Sequence, residues 1–267
     1  MPLAKVGEIE LDYERSGSGP PLLMIMGMSG TKDHWGEPFL NALRSDFETI
    51  VYNHRGVGDS SRLQGQFTIA ELAADAAGLL AALKIEQAHV LGISMGGMVA
   101  QELTLAHQQL PLTLALGCTY CGGEGSALTG SETMQQLSAG VASRDRERAI
   151  RAMWEVNVSA ELAAKDEPWQ RFRATGMRKG VTLPVVIEQM RAISEHDTST
   201  RLPKIRTPTL VVHGTEDRML PVQNGHMIAR LIAGARLEIM EGIGHLFFWE
   251  RPERAAELVR EHVYTHV

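Results

Sequence analysis

Cysteine is scarce in this 267-residue sequence, which contains only Cys118 and Cys121. Two thiols are too few for the disulfide framework of a small secreted protein or for a zinc site made of cysteines alone. Their CxxC spacing would indicate redox chemistry only in a thioredoxin-like setting. We therefore expect two reduced, structural thiols, and the sequence assigns neither of them a function.

The chain also lacks clustered positive charge. Its formal net charge is −6 at pH 7, and its lysines and arginines form no basic run. Proteins that bind phosphate backbones present such basic clusters, so we expect a small-molecule partner and no nucleic-acid partner. The sequence does not predict the oligomeric state.

Long hydrophobic runs are missing as well. No segment approaches the ~20 consecutive apolar residues that span a bilayer, and residues 1–17 lack the apolar stretch of a signal peptide. We expect a cytoplasmic protein with no membrane partner. Hydrophobic residues nevertheless make up 44% of the chain, which is enough for a sizeable globular core.

Short apolar runs alternate with amphipathic segments along most of the chain. The runs predict strands at residues 22–26, 47–53, 88–93, 111–117, 209–213 and 236–240. The segments predict helices at residues 33–44, 69–83, 95–107, 222–232 and 253–262. A hairpin over residues 3–15, turning near Gly7, adds an antiparallel edge. Strands separated by helices predict an α/β fold with a mostly parallel, doubly wound sheet.

The alternation is interrupted between the strands at 111–117 and 209–213. A segment of roughly ninety residues is not expected to be structureless inside a compact domain. Ile150, Met153 and Trp154 have helical spacing, and so do Val186, Met190 and Ile193. We therefore predict a core domain of residues 1–121 and 204–267 that carries an inserted helical cap of residues 122–203.

The clearest chemical signal is the segment Gly92-Ile93-Ser94-Met95-Gly96, which fits the pattern G-x-S-x-G. It lies between a predicted strand and a predicted helix, where a sharp turn raises the serine hydroxyl above the carboxyl end of the sheet. Glycines are needed on both sides because the backbones approach closely at such a turn. We predict Ser94 as the nucleophile.

A serine hydroxyl barely ionises at neutral pH, so it needs an imidazole base and a carboxylate that orients the imidazole. Asp217 follows the strand at 209–213, and His245 follows the strand at 236–240. The order serine, acid, histidine is the one expected for this arrangement of strands. Glu216 is the chief rival for the acid, and Glu124 is a more remote one.

Five segments together resemble the α/β-hydrolase family along nearly the whole chain: MGMSGTKDHW, YNHRGVGDSS, LGISMGGMVA, VVHGTEDRMLP and GIGHLFFWERPE. The resemblance is strongest to small cap-bearing esterases and lactonases, including 3-oxoadipate enol-lactonases and acyl-homoserine-lactone hydrolases. It implies a triad of Ser94, Asp217 and His245 that works with no metal and no cofactor. It also selects Asp217 over Glu216, because the family carries similar GTED segments.

The oxyanion of a tetrahedral intermediate needs hydrogen-bond donors, and backbone amides can supply them. We nominate the amides of Met95 and Met28. Met28 lies in the loop after the strand at 22–26. Many relatives carry a histidine before the glycine of this loop, where this chain has Met26-Gly27. Gly27, Trp35 and Trp154 are predicted to line the substrate pocket.

The sequence thus predicts a serine hydrolase that cleaves a small carboxylic ester or lactone through an acyl-serine intermediate. Acidic and basic residues balance within the predicted cap, which favours a neutral substrate with an apolar acyl group. Carbon–carbon bond hydrolysis and perhydrolysis use similar residues and stay open as alternatives. A receptor that binds a small molecule without turnover is an alternative of a different class.

Overall fold

The computed structural model describes residues 2–178 and 180–266, and across them it contains one sheet of eight strands. The strands are β1 (Leu3–Val6), β2 (Ile9–Gly17), β3 (Pro21–Ile25), β4 (Glu48–Tyr52), β5 (Ala88–Ile93), β6 (Pro111–Gly117), β7 (Thr209–Gly214) and β8 (Arg236–Met240). Their spatial order is β1-β2-β4-β3-β5-β6-β7-β8. The pairs β1–β2 and β2–β4 are antiparallel, and the other pairs are parallel. The predicted α/β fold with a mostly parallel sheet is confirmed.

The antiparallel edge is the predicted hairpin. Val6 pairs with Ile9, so the connection between the strands is the two-residue turn Gly7-Glu8. Gly7 has a φ of 58°, a left-handed conformation that glycine adopts without steric cost. The hairpin therefore turns where the sequence predicted.

Helices cover both faces of the sheet. They are α1 (Glu37–Arg44), α2 (Ile69–Ala82), α3 (Met95–Ala106), α9 (Gln223–Leu231), α10 (Phe247–Glu250) and α11 (Pro252–Thr265). Successive side chains of a strand point to opposite faces, so β3 directs Leu23 and Ile25 into the core under α2, α3 and α9. It directs Leu22 and Met24 into the core under α1 and α11. Both faces of the sheet are thus buried.

The helix predicted at 33–44 is divided in two. A short 3-10 helix spans Lys32–Trp35, and α1 begins only at Glu37. Gly36, between them, has a φ of 74°, which is incompatible with a continuous right-handed helix. The prediction of one helix was wrong at this point because a single glycine within a helical pattern does not by itself reveal a break.

Five helices occupy the interval between β6 and β7 in the part of the chain that the structure describes. They are α4 (Ser131–Ala142), α5 (Arg146–Asn157), α6 (Ala160–Ala163), α7 (Asp166–Arg178) and α8 (Leu183–Ser194). Ile150, Met153 and Trp154 lie on α5, as their spacing predicted. A second 3-10 helix, Leu202–Lys204, leads back to the sheet. The division into core and cap at residues 122 and 203 stays a prediction. Among the described residues, no helix is both long and apolar enough to cross a bilayer.

Candidate active site

Ser94 occupies a strained turn between β5 and α3. Its φ and ψ are 55° and −125°, a conformation that non-glycine residues seldom adopt. A Cβ on Gly96 would lie 2.0 Å from the Ile25 carbonyl oxygen, and one on Gly92 would lie 2.3 Å from the Gly96 carbonyl oxygen. Only glycine fits at these two positions, which explains the G-x-S-x-G pattern in steric terms.

Asp217 and His245 meet at the same end of the sheet. The loop after β7 carries Asp217, the loop after β8 carries His245, and His245 Nδ1 lies 2.7 Å from Asp217 Oδ2. A carboxylate accepts hydrogen bonds, so Nδ1 carries the proton and Nε2 is left free to act as a base. Glu216, the rival acid, is exposed. Of the two adjacent carboxylates, the structure brings Asp217 to the histidine.

The Asp217 carboxylate is almost fully buried and fully hydrogen-bonded. Its Oδ1 accepts the backbone N–H groups of Met219 at 2.8 Å and Leu220 at 2.9 Å. Burial by itself would raise the pKa of Asp217, but the charge interaction with His245 and the hydrogen bonds from two histidines outweigh it. The net effect lowers the pKa of Asp217 well below its usual value, so Asp217 stays ionised, as its predicted role as the acid requires.

The second of these histidines is His213. It is fully buried at the end of β7, with Nε2 2.7 Å from the Leu220 carbonyl oxygen and 3.2 Å from Asp217 Oδ2. Because a carbonyl only accepts, Nε2 carries the proton and also donates to Asp217. A histidine at the end of a fully buried strand needs a polar partner. The position of His213 at the end of the apolar run 209–213 is therefore the sequence feature that indicates a buried polar contact.

Cys118 lies beside Asp217 and His245. One ligand-type atom from each of Cys118, Asp217 and His245 falls within a cluster 4.8 Å across. Burial, and to a smaller extent Asp217, raises the pKa of the Cys118 thiol well above its usual value. The Cys118 side chain is therefore a protonated thiol beside Asp217 and His245 at neutral pH. Cys118 and Cys121 are both free and buried.

The loop after β3 approaches Ser94 closely. A Cβ on Gly27 would lie 3.0 Å from Ser94 Cβ and 3.5 Å from its Oγ, so a side chain at Gly27 would crowd the hydroxyl. Met28 follows in this loop, and Met95 begins α3, where a backbone N–H has no partner within the helix. The nominated amides thus lie in segments next to Ser94. Their role as oxyanion donors stays a prediction.

Two side chains hold that loop through hydrogen bonds to its backbone. His54 Nε2 lies 2.9 Å from the Met26 carbonyl oxygen and donates to it. The backbone N–H of Ser29 donates to Gln189 Oε1, on α8, at 3.0 Å. Gln189 is fully buried. The loop geometry therefore depends on a helix between β6 and β7 as well as on the core.

A cavity of about 260 Å³ opens above Ser94 and His245. The loop after β3 and the helices α5 and α7 supply most of its other walls, which are largely apolar. The lining includes Met26, Gly27, Met28, Ile93, Ala149, Ile150, Met153, Phe172, Val181, Met219 and Leu246. Besides Ser94 and His245, polar side chains come from Ser29, His34, Arg146 and Asn157. None of these four residues was predicted for the pocket. Arg146 and Asn157 lie on a helix of the insertion, where nothing local marks a residue as facing a distant serine.

Gly27 lines the cavity as predicted, but the two tryptophans do not. Trp35 is fully buried and packs against Phe248, with ring centroids 5.0 Å apart. Trp154 is fully buried against Phe172, with centroids 4.9 Å apart. The predictions for Trp35 and Trp154 were wrong because both rings fill hydrophobic clusters behind the cavity wall. Phe172 presents the aromatic surface in their place.

Glu250 joins the loop of His245 to the helical insertion. Its carboxylate accepts the backbone N–H of Gly244 at 2.6 Å and that of Ser159 at 2.9 Å. It also accepts a short hydrogen bond from the Ser159 hydroxyl. The backbone N–H of Leu246 donates to the Asn157 carbonyl oxygen at 2.8 Å. Gly244 and Leu246, the residues on either side of His245, are thus both anchored by hydrogen bonds from their backbone N–H groups.

Comparisons with known proteins agree with this geometry. Residues 20–252 match the family model of the alpha/beta hydrolase fold. A relative from Azorhizobium caulinodans, named "Putative carbamate hydrolase", is 27% identical, with 97% of each chain covered. An esterase from Rhodococcus sp. ECU1013 superimposes with a TM-score of 0.85 at 26% identity, covering 99% of this chain and 98% of that one. The enol-lactonase from Burkholderia xenovorans LB400 gives 0.82 at 25% identity, covering 98% and 100%. The chain therefore belongs to the α/β-hydrolase fold family, and hydrolysis is the class of activity that this membership supports.

Proposed function

We propose that the protein hydrolyses a small carboxylic ester or lactone through an acyl-serine intermediate. The observation that carries the proposal is the shared cavity: Ser94 and His245 both line it, and Asp217 holds the far nitrogen of His245. A nucleophile, a base and an orienting acid thus converge on a space that a small ester can enter.

The mechanism follows from the tautomer of His245. Nε2 removes the proton from Ser94 Oγ as the oxygen attacks the carbonyl carbon, and the imidazolium is stabilised by Asp217. Nε2 then returns the proton to the departing alkoxide, which leaves as the alcohol. A water molecule, deprotonated by the same nitrogen, attacks the acyl-serine carbonyl. Nε2 then returns this proton to Ser94 Oγ as the acid is released. Each donor aimed at the oxyanion would contribute on the order of 3 kcal/mol to transition-state stabilisation.

A carbamate is the second candidate substrate class. The relative from Azorhizobium caulinodans aligns over almost its whole length and carries that activity in its name. The same residues can attack a carbamate carbonyl, with His245 protonating the departing amine in place of an alcohol. The choice between the two classes depends on the leaving group and not on the triad.

The test is a substrate panel of matched esters, lactones and carbamates, assayed with the wild type and with Ser94→Ala. We expect repeated turnover on an ester or lactone and a loss of several orders of magnitude in kcat for the variant. Faster hydrolysis of the carbamates would support the second candidate. Full activity of Ser94→Ala, or one slow turnover per protein molecule on every substrate, would overturn the proposal, and the latter would indicate a receptor.

A further inference from the structure

His34 is the only histidine besides His245 among the described residues that line the cavity. It lies in the 3-10 helix that follows the loop near Ser94, and its ring meets Phe172 edge to face, with centroids 5.6 Å apart. The ring is only partly buried. The proposed mechanism gives His34 no task, although it faces the same space as the nucleophile.

The tautomer of His34 follows from its neighbour Thr31. The backbone N–H of Thr31 points at His34 Nδ1 from 3.0 Å, and the Thr31 hydroxyl lies 2.9 Å from the same nitrogen. An amide N–H can only donate, so Nδ1 is the acceptor and the proton of a neutral ring is on Nε2. Burial lowers the pKa of His34 to about 4; Asp33 opposes this effect to a smaller extent, and Arg178 adds to it. The ring is therefore neutral at ordinary pH.

His34 Nε2 has no hydrogen-bond partner in the part of the chain that the structure describes. The N–H is a fixed, uncharged donor within a wall made mostly of apolar side chains. A donor in such surroundings discriminates strongly between ligands with and without an acceptor, because a ligand that lacks one leaves the donor unpaired.

We propose that His34 is a specificity-determining residue that donates its Nε2 hydrogen to a second, uncharged oxygen of the substrate, separate from the scissile carbonyl. The substrate class would be esters or lactones that carry a keto, ether or amide oxygen. This inference rests on the proposed hydrolysis at Ser94. A carboxylate is a poorer match, because a neutral ring adds no charge and Arg146, the charged residue of the lining, is exposed to water.

The experiment compares pairs of esters of equal size, one with and one without the second oxygen. A suitable acyl pair is 4-oxopentanoate against hexanoate, and a suitable alcohol pair is 2-methoxyethyl against butyl acetate. The readout is the ratio of kcat/KM within each pair, compared between enzyme variants. Dividing the ratio measured for a variant by the ratio measured for the wild type cancels the intrinsic reactivity of the esters.

Two substitutions separate the donor from the contact with Thr31. His34→Asn keeps a short acceptor near the position of Nδ1 and removes the donor, whereas His34→Gln extends an amide N–H toward the position of Nε2. In His34→Asn we expect the kcat/KM ratio of at least one substrate pair to fall about tenfold. A tenfold change corresponds to roughly 1.4 kcal/mol of transition-state stabilisation. His34→Gln should retain part of the ratio. Met153→Leu, which changes an apolar wall residue at similar volume, should leave the ratio at the wild-type value.

Three outcomes would overturn the inference about His34 while leaving the proposed function intact. One is an equal loss for both members of every pair, which would indicate a structural or oxyanion role. Another is an unchanged ratio in His34→Asn. The third is a preference for carboxylate-bearing esters that Arg146→Met abolishes and His34→Asn does not. If the wild type hydrolyses no ester at all, the proposed function fails and this inference fails with it.

Discussion

At the scale of single residues, Asp217 receives hydrogen bonds from two histidines with opposite tasks. His245 donates through Nδ1 and leaves Nε2 free for its proposed role as a base, whereas His213 donates through Nε2 and also binds a backbone carbonyl. The carboxylate is thereby fixed in position, and its orientation fixes that of His245. The proposed proton transfer depends on this fixed geometry as much as on the presence of the three residues.

The neighbouring carboxylates provide a matched pair of substitutions. Asp217→Asn places an amide against the Nδ1 hydrogen of His245 and favours the wrong tautomer, so we expect kcat to fall on the order of 10⁴-fold. Glu216→Gln changes an exposed side chain and should stay within about twofold. Steady-state kinetics and thermal unfolding of both variants test this. The reverse ranking would transfer the role of the acid to Glu216.

The sequence singled out residues that the structure brings together where the proposed chemistry leaves a local pattern. Ser94 is marked by glycines that the close approach of backbones requires, and Asp217 and His245 follow recognisable strands. Trp35 and Trp154 were predicted as pocket residues from their aromatic side chains, and that failed because a large aromatic ring fills a core as readily as a pocket wall. His34 and Arg146 reach the cavity through tertiary packing that no local pattern records.

At the scale of elements, α8 shows how a helix can be predicted correctly while its buried face is not. The sequence indicated Val186, Met190 and Ile193, but Met190 is 44% exposed. The buried face is one residue earlier, at Val185, Gln189 and Ala192. A shift of one residue along the helix rotates the buried face by about 100° around the helix axis. A polar residue, Gln189, lies on this face because it binds the loop next to Ser94.

Glu250 offers a test of how the insertion supports the loop of His245. Glu250→Ala would leave the buried N–H groups of Gly244 and Ser159 unpaired, so we expect the free energy of unfolding to fall by about 2–4 kcal/mol. We also expect a lower kcat, because Gly244 directly precedes His245. Glu250→Gln can still accept both N–H groups through its amide oxygen and should retain most of the activity.

The control for Glu250 is Glu253→Ala, which removes an exposed carboxylate near the start of α11. It should leave kcat and stability almost unchanged. Urea unfolding and steady-state kinetics of the three variants provide the measurement. An equal effect of Glu250→Ala and Glu253→Ala would show that the bridge through Gly244 does not support the site.

At the scale of the whole molecule, the alternation of strands and helices was enough to predict the sheet. Parallel strands buried on both faces leave continuous apolar runs such as residues 22–26, and these are readable without tertiary information. The spatial order of the strands was not predicted, since it depends on which strands pair across the sheet. The walls of the cavity were not predicted for the same reason.

Buried histidines make the free energy of unfolding depend on pH. Burial is the main cause that lowers the pKa of His196 and His262 to about 4, as it does for His34. In the unfolded chain histidine titrates near ~6.5, so the unfolded state binds protons that the folded state excludes. Stability from these groups is complete above about pH 6.5 and is lost as the pH falls toward 4. We therefore expect the free energy of unfolding to decrease over this range.

Urea unfolding at pH 7 and pH 5 measures that decrease. His196→Gln should reduce the difference between the two pH values, whereas His226→Gln, at an exposed position, should not change it. Glu102 and Asp197 oppose the lowered pKa of His196, and Arg201 adds to it, so these three residues must be kept intact. A stability that rises from pH 7 to pH 5 would contradict the assignment of neutral, buried histidines.

The central claim is the covalent acyl intermediate on Ser94, and mass spectrometry of the enzyme during turnover tests it directly. We predict that mixing with p-nitrophenyl butyrate, followed by rapid acid quenching and peptide mapping, yields one butyryl group on the peptide that contains Ser94. The modification should disappear when the substrate is exhausted and should be absent in Ser94→Ala. A butyryl group on another residue, such as Cys118, or sustained turnover by Ser94→Ala would contradict the account.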